Sequence, residues 1–265
     1  MKALILSLIL AVSFTFTSQA KNADEIVKQA NLAAYYSADD GSAQMLMKVY
    51  RKGSKKPISK LFYMMKKDIE EGGEQLFYTY FVKPSDIKRT TFLVHKYIDK
   101  DDVRHLYIPA SDKVLAIAGN RKQDPFMGSD FSYEDVSGRH FSKDFHKFLG
   151  ESTLNKRAVY ITESKPKVHE AQISQMKAWI DQQTKIPLKV EFYNHDNQLF
   201  KVYESSSIRI IKGYPTIMKR TMTSPLEGTK TVILINPKKV KYNIGLTASL
   251  FSERALKNPP IKYMR

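Results

Sequence analysis

Hydrophobic and polar positions alternate with period two along most of this chain, and that rhythm predicts strands. One helical segment precedes it. Over residues 23–36, Ile26, Ala30, Ala33 and Ala34 share a face at helical spacing. Asp24 and Glu25 stand in the first turn, where the helix dipole favours acids, and Asp39-Asp40-Gly41 ends the segment. Then Ala43, Met45, Met47 and Val49 point one way along 43–50. Strand patterns follow at 58–66, 74–82, 91–98, 103–108 and 113–118, with turns at 71–73, Pro84, 99–102 and 109–112. Residues 119–140 break the rhythm. Gly119, Pro125, Gly128 and Gly138 mark a long loop with a short helical piece near Tyr133-Glu134-Asp135. Strands resume at 144–151, 157–163, 171–181, 187–193, 199–210, 215–223 and 229–240, and Thr247 is placed to cap a closing helix over 248–255.

About a dozen strands with few helices predict a mainly β fold with some α. So large an antiparallel sheet curls toward a barrel. The expected form is an incomplete, half-open β-barrel with an N-terminal helix and helical lid segments. Such a shell encloses an apolar hollow suited to hydrophobic ligands. Candidates for its wall are Met45, Met47, Phe62, Met64, Phe77, Phe81, Phe92 and Val94, with Phe126, Met127 and Phe131 from the long loop. Thioethers and phenyl rings suit a wall that repacks around flexible chains. Ordinary core packing is the other reading of each, and the pattern leaves open which parity faces inward.

The first residues carry a separate message. Met1-Lys2 is a positive start, residues 3–16 are nearly all apolar, and Ser18-Gln19-Ala20 places small residues before a cut. The run of roughly 14 residues falls short of the ~20 needed to span a bilayer. A cleavable signal peptide over 1–20 is expected, leaving a single domain over 21–265. The chain has 265 residues and no cysteine, which excludes disulfides, thiolate metal sites and a cysteine nucleophile. An exported chain of this size without cysteine fits a Gram-negative periplasm.

The formal net charge is +16. Such a field concentrates anionic partners. Export and the scattered placement of the charge argue against nucleic acid. The densest group is Arg51, Lys52, Lys55, Lys56 and Lys60, at an expected hairpin tip around Gly53-Ser54. A solvated loop is one reading; contact of basic loops with anionic lipid or an acidic protein is the other.

Catalytic constellations are weak. Ser129, Asp130 and His140 suggest a hydrolase, but 127–131 lacks the second glycine of a nucleophile elbow. His140 and His146 with Asp144 between them fit no metal spacing and read as surface histidines. Glu134 and Asp135 read as solvated carboxylates, since adjacent side chains point apart. No enzyme activity, cofactor or metal is expected.

One stretch is specific. Residues 104–110, Arg-His-Leu-Tyr-Ile-Pro-Ala, lead to Phe126-Met127-Gly128-Ser129-Asp130-Phe131-Ser132-Tyr133-Glu134-Asp135-Val136-Ser137-Gly138-Arg139. This pattern resembles that of the outer-membrane lipoprotein-sorting, LolA-like family, as does 186–193 after Trp179. The resemblance implies a LolA/LolB/RseB-type half-barrel, periplasmic location and binding of acyl chains. The implied function is a carrier that moves an acylated lipoprotein or lipid between envelope components. An inner-membrane RND/MMPL-type transporter is the implied partner. A periplasmic sensor or adaptor of the RseB type, binding a membrane regulator, is the alternative. The signature loop offers Phe126, Met127, Gly128, Asp130, Phe131, Tyr133 and Arg139 either as a lid over the cavity or as a plug in one barrel end. Ser129 or Asp130 is placed to cap its helix, and Arg139 to pair with Asp130 or Asp135 or to meet a headgroup.

Overall fold

The period-two segments become strands of a single sheet. A computed structural model describes residues 22–264 of the chain; the leader expected over 1–20 lies outside them. Helix α1 (Ala23–Tyr35) comes first, capped by the Asn22 side chain, which accepts from the Asp24 N–H at 3.0 Å. A first meander follows: β1 (Asp40–Tyr50), β2 (Ile58–Asp68), β3 (Gln75–Lys83), β4 (Thr91–Lys96), β5 (Val103–Ile108) and β6 (Lys113–Ala116). After the long loop, which holds α2 (Tyr133–Ser137), a second meander runs back. It comprises β7 (Asp144–Leu154), β8 (Arg157–Pro166), β9 (Gln175–Asp181), β10 (Pro187–Tyr193), β11 (Leu199–Ile211), β12 (Tyr214–Ser224) and β13 (Thr229–Ile235). β14 (Lys241–Tyr242) and α3 (Glu253–Lys257) close the described chain.

The 14-stranded sheet runs β6-β5-β4-β3-β2-β1-β13-β12-β11-β10-β9-β8-β7, with β14 on β1. Every pairing is antiparallel. The two meanders join through β1 and β13, and β6 and β7 remain as free edges. The sheet is therefore a curled, open half-barrel. The signature loop is the segment that passes from one free edge to the other.

Register decides which side chains share the inner face. Met45 faces Phe62 on β2 and Ile235 on β13; Met47 faces Ile233; Phe62 faces Phe81. Phe77 faces Val94. These residues form the main core with Val49, Phe92 and Leu106. The parity left open by the pattern is thus settled, with Met45, Met47 and Val49 inward. The outer face of β2–β5 has its own core, where Met65, Leu76, Tyr78 and Leu93 pack under Leu246, Phe251, Leu256 and Met264 of the C-terminal segment. Helix α1 lies against β7 and β8. Its Ile26 and Ala30 meet Ile180, Phe148 and Tyr160.

Near the C-terminus, two expected elements end differently. The strand expected over 229–240 stops at Ile235, because Asn236 and Pro237 start a tight turn (Pro237–Lys239) and proline has no N–H for the ladder. The closing helix expected over 248–255 is a short turn, Ala248–Phe251, followed by α3. Thr247 caps neither: its hydroxyl meets Ser249 Oγ at 2.9 Å.

Gly138 ends α2 with φ +73°, and a Cβ there would fall within the Tyr35 ring at the end of α1. Gly213 also has positive φ (+86°), but open space surrounds it. Gly138→Ala is therefore expected to cost roughly 2–4 kcal/mol, strain plus overpacking. Gly213→Ala carries only the strain, about 1 kcal/mol. Urea unfolding of both variants checks the contrast; equal losses would show that Tyr35 yields freely.

Candidate functional site

Inside the half-barrel lie two adjacent apolar chambers, of about 190 Å³ and 110 Å³. They share Ala34 and Tyr35 from α1, Met45, Met64, Val136 and Arg220. The larger is walled by Met47, Phe62, Phe126, Phe131, Met222 and Ile233, among others. A polar vestibule of about 750 Å³ adjoins it and shares Gln123, Ser132, Gln172, Phe200 and Lys201. Arg51, at the base of the β1–β2 hairpin, stands on the vestibule wall. Lys52, Lys55 and Lys56 at that hairpin's tip are exposed.

The expected wall residues divide. Met45, Met47, Phe62 and Met64 line the larger chamber, and Phe77 the smaller. Phe92 and Val94 are wholly buried in the core and line neither chamber. The second meander contributes Met176, Val190, Phe192, Tyr203 and Met222, which the sequence reading did not single out. The strand patterns over 187–193, 199–210 and 215–223 carried that information once a parity was known.

The signature loop packs its aromatic side chains into the barrel core. Phe126 packs its ring 5.2 Å from Phe92, 5.7 Å from Tyr133 and 6.0 Å from Phe81. Phe126 and Phe131 also line the chamber, Met127 packs partly buried on the core, and Gly128 and Asp130 face the vestibule. Cations of the hairpin hold the loop's carbonyls: Arg51 Nη2 donates to Gly128 O at 2.7 Å, and Lys60 Nζ to Met127 O. Asp130 accepts from Thr231 (2.6 Å), Ser224 (2.8 Å) and Thr229, which ties the loop to β12 and β13. Ser132, not Ser129 or Asp130, caps α2, in a reciprocal box with Asp135. Asp135 also pairs with Lys201.

Arg139 pairs with neither Asp130 nor Asp135. Its guanidinium binds Asp144 at 2.9 Å, Glu170 at 2.7 Å and Glu134 at 3.3 Å, and Lys122 adds a 2.7 Å contact to Glu170. Glu134 is therefore not a solvated carboxylate. Burial pushes its pKa up, against Arg139 and Lys122, which pull it down. For Glu170 burial pushes up too, but hydrogen bonds from Lys122 and Arg139 prevail and hold it low.

His140 is also not on the surface; it is 5% exposed. Its Nε2 lies 3.1 Å from Gly72 O, while Nδ1 accepts from the Ser142 N–H at 3.2 Å. That pattern satisfies the neutral Nε2–H tautomer. Burial pulls its pKa from 6.5 down to about 4, against the Gly72 hydrogen bond. Between those values the unfolded chain holds a proton that the folded chain lacks. Stability present above pH 6.5 is thus lost as pH falls toward 4, by up to about 3 kcal/mol. His140→Gln is expected to flatten this part of the pH profile. Urea melts from pH ~7 to ~4.5 measure it, and parallel profiles for both proteins would reject the assignment. Among the described residues, no cluster of three or more His, Asp or Glu is arranged to hold a metal.

A protein-family profile described as an uncharacterized protein matches residues 73–258. No curated protein matches the chain. Solved structures do. A domain named as an outer membrane lipoprotein-sorting protein, from Vibrio parahaemolyticus, is 27% identical with a TM-score of 0.82, covering 89% of this chain and 98% of that one. A DUF1329 family protein from Desulfovibrio piger is 27% identical with a TM-score of 0.80, over 88% and 97%. A LolA superfamily protein from Nitrosomonas europaea shares the fold at 14% identity, with a TM-score of 0.67 over 89% and 99%. This chain belongs to the family whose profile matches residues 73–258, and its open antiparallel half-barrel with α1 is a LolA-like fold.

Proposed function

We propose that this protein is a periplasmic carrier that shelters the acyl chains of a lipid or lipoprotein and passes them between envelope components. The observation that carries this reading is the pair of apolar chambers behind a polar vestibule. An apolar cavity of about 150 Å³ stays dry and takes up benzene. A 190 Å³ chamber therefore admits part of an acyl tail as it stands. The rest of a tail requires the walls to give, and Met45, Met47, Met64, Met176 and Met222 supply flexible ones. Each methylene sheltered contributes about 0.8 kcal/mol, so about ten correspond to the roughly 8 kcal/mol of micromolar retention. No bond is made or broken. The exposed lysines of the β1–β2 hairpin stand beside the vestibule wall and favour docking to an anionic membrane or an acidic protein face. An RND/MMPL-type inner-membrane transporter is the partner we assign to hand-over.

The test is chemical. The full-length protein, expressed in its own host and purified without detergent, is extracted and analysed by mass spectrometry, and the stripped protein is titrated with a fluorescent acyl probe. Co-purified lipid and saturable binding are expected. No retained lipid together with no probe binding would reject the carrier.

A further inference from the structure

The interior of the half-barrel carries cations as well as apolar side chains. Lys66 is matched by Asp68 at 3.1 Å, Lys201 by Asp135, and Arg139 by Asp144 and Glu170. Arg220 is different. It stands on β12 between Ser205 of β11 and Ile233 of β13, and it lines both chambers. Among the described residues, no carboxylate reaches it at salt-bridge distance. Its neighbours are phenols: Tyr35 and Tyr203 line the larger chamber with it, and Tyr242 the smaller.

A guanidinium offers five N–H donors in a fork that fits a carboxylate or phosphate. Phenol hydroxyls alone leave most of them unmatched. A cation held against apolar walls without a counter-charge is costly, and an anion delivered to it recovers that cost. Burial holds the Tyr35 and Tyr203 hydroxyls protonated, so each can donate to the same anion. Beside Arg220 lies the methionine- and phenylalanine-walled chamber. The junction thus presents an anion seat next to a largely apolar slot, the two halves of an amphiphile.

We infer that Arg220, with Tyr35 and Tyr203, seats the anionic head of an acyl amphiphile whose chain occupies the larger chamber. The inference rests on the carrier reading and narrows its cargo to acyl compounds with a carboxylate or phosphate near the chain. A neutral acylated peptide leaves Arg220 unmatched. Tyr203→Phe removes one donor and is the milder lesion.

Binding of a dansylated fatty acid and of its methyl ester to the stripped full-length protein tests this. The acid is expected to bind at least about tenfold tighter than the ester. Arg220→Gln is expected to erase that difference by weakening the acid alone, and Arg220→Lys to restore part of it. Competition by lysophosphatidate against an unlabelled fatty acid distinguishes a phosphate from a carboxylate head. Equal binding of acid and ester to the unaltered protein, or equal weakening of both by Arg220→Gln with the melting temperature unchanged, would overturn the inference while leaving the carrier intact. Binding of neither would overturn both. If Arg220→Gln fails to fold, the acid-to-ester ratio of the unaltered protein and of Tyr203→Phe decides.

Discussion

Ala34→Trp is expected to abolish binding of an acyl probe, by tenfold or more, while the protein stays folded. Ala34 lies on the inner side of α1 and lines both chambers. An indole projected from it enters space that the fold leaves empty, and it competes directly with a guest for the 190 Å³ chamber. Overpacking a filled core costs about 1–3 kcal/mol. Here the ring enters a void, so new apolar burial at about 25 cal/mol per Å² offsets that strain. Melting temperature and probe affinity therefore separate: the first moves by a few degrees at most, the second collapses. The same substitution at a position packed tightly under the loop would behave in the opposite way. Val94→Trp, in the filled part of the core, is expected to unfold the protein. If Ala34→Trp binds the probe as well as the unaltered protein, the guest lies elsewhere, and the exposed vestibule becomes the site to examine.

The two chambers also explain which parts of the site were legible in the sequence. Strand periodicity was enough to place Met45, Met47 and Val49 on one face, because a period of two is a local property of the backbone. Which face is inner depends on curl, and curl depends on the whole sheet. Wall residues from the second meander, such as Val190, Phe192 and Tyr203, went unmarked for that reason. Phe92 and Val94 carry the same chemistry as the chamber lining, yet both are wholly buried in the core, Phe92 against the loop's Phe126 and Tyr133. The capping residue was missed by a shorter margin. Ser129 and Asp130 precede α2, but the box needs an acid three residues on, and only Ser132 with Asp135 supplies it.

Pairings were the least legible. Arg139 was offered Asp130 and Asp135, and the fold gave it Glu134 from α2, Asp144 from β7 and Glu170 from the loop before β9. Asp144 is carried there by the turn after the signature loop, and Glu170 lies 31 residues along the chain. Burial of His140 was equally hidden, since its partner Gly72 belongs to the β2–β3 turn, 68 residues away. Long-range contacts of this kind are set by strand order. No local pattern contains them.

Arg139→Met is expected to be the most damaging single substitution in the loop region, costing about 3–5 kcal/mol. The guanidinium is the one group that touches Glu134, Asp144 and Glu170 together. Asp144 and Glu170 are 5% and 6% exposed, so water cannot replace it. Removing it leaves buried carboxylates facing one another, with Lys122 reaching Glu170 and Glu134 but not Asp144. Burial already pushes Glu134 toward its protonated form, and without Arg139 nothing but Lys122 opposes that push. The variant is therefore expected to gain stability relative to the unaltered protein as pH falls from neutral toward ~5, where the stranded acids take up protons. Arg139→Lys keeps the charge but has no fork, so it holds one acid well and recovers less than half of the loss. Urea unfolding of all three proteins at pH ~7 and ~5 reads both effects. A loss below about 1 kcal/mol for Arg139→Met would mean the acids are solvated through the vestibule, and the loop is then held by its phenylalanines and by Asp130 rather than by charge.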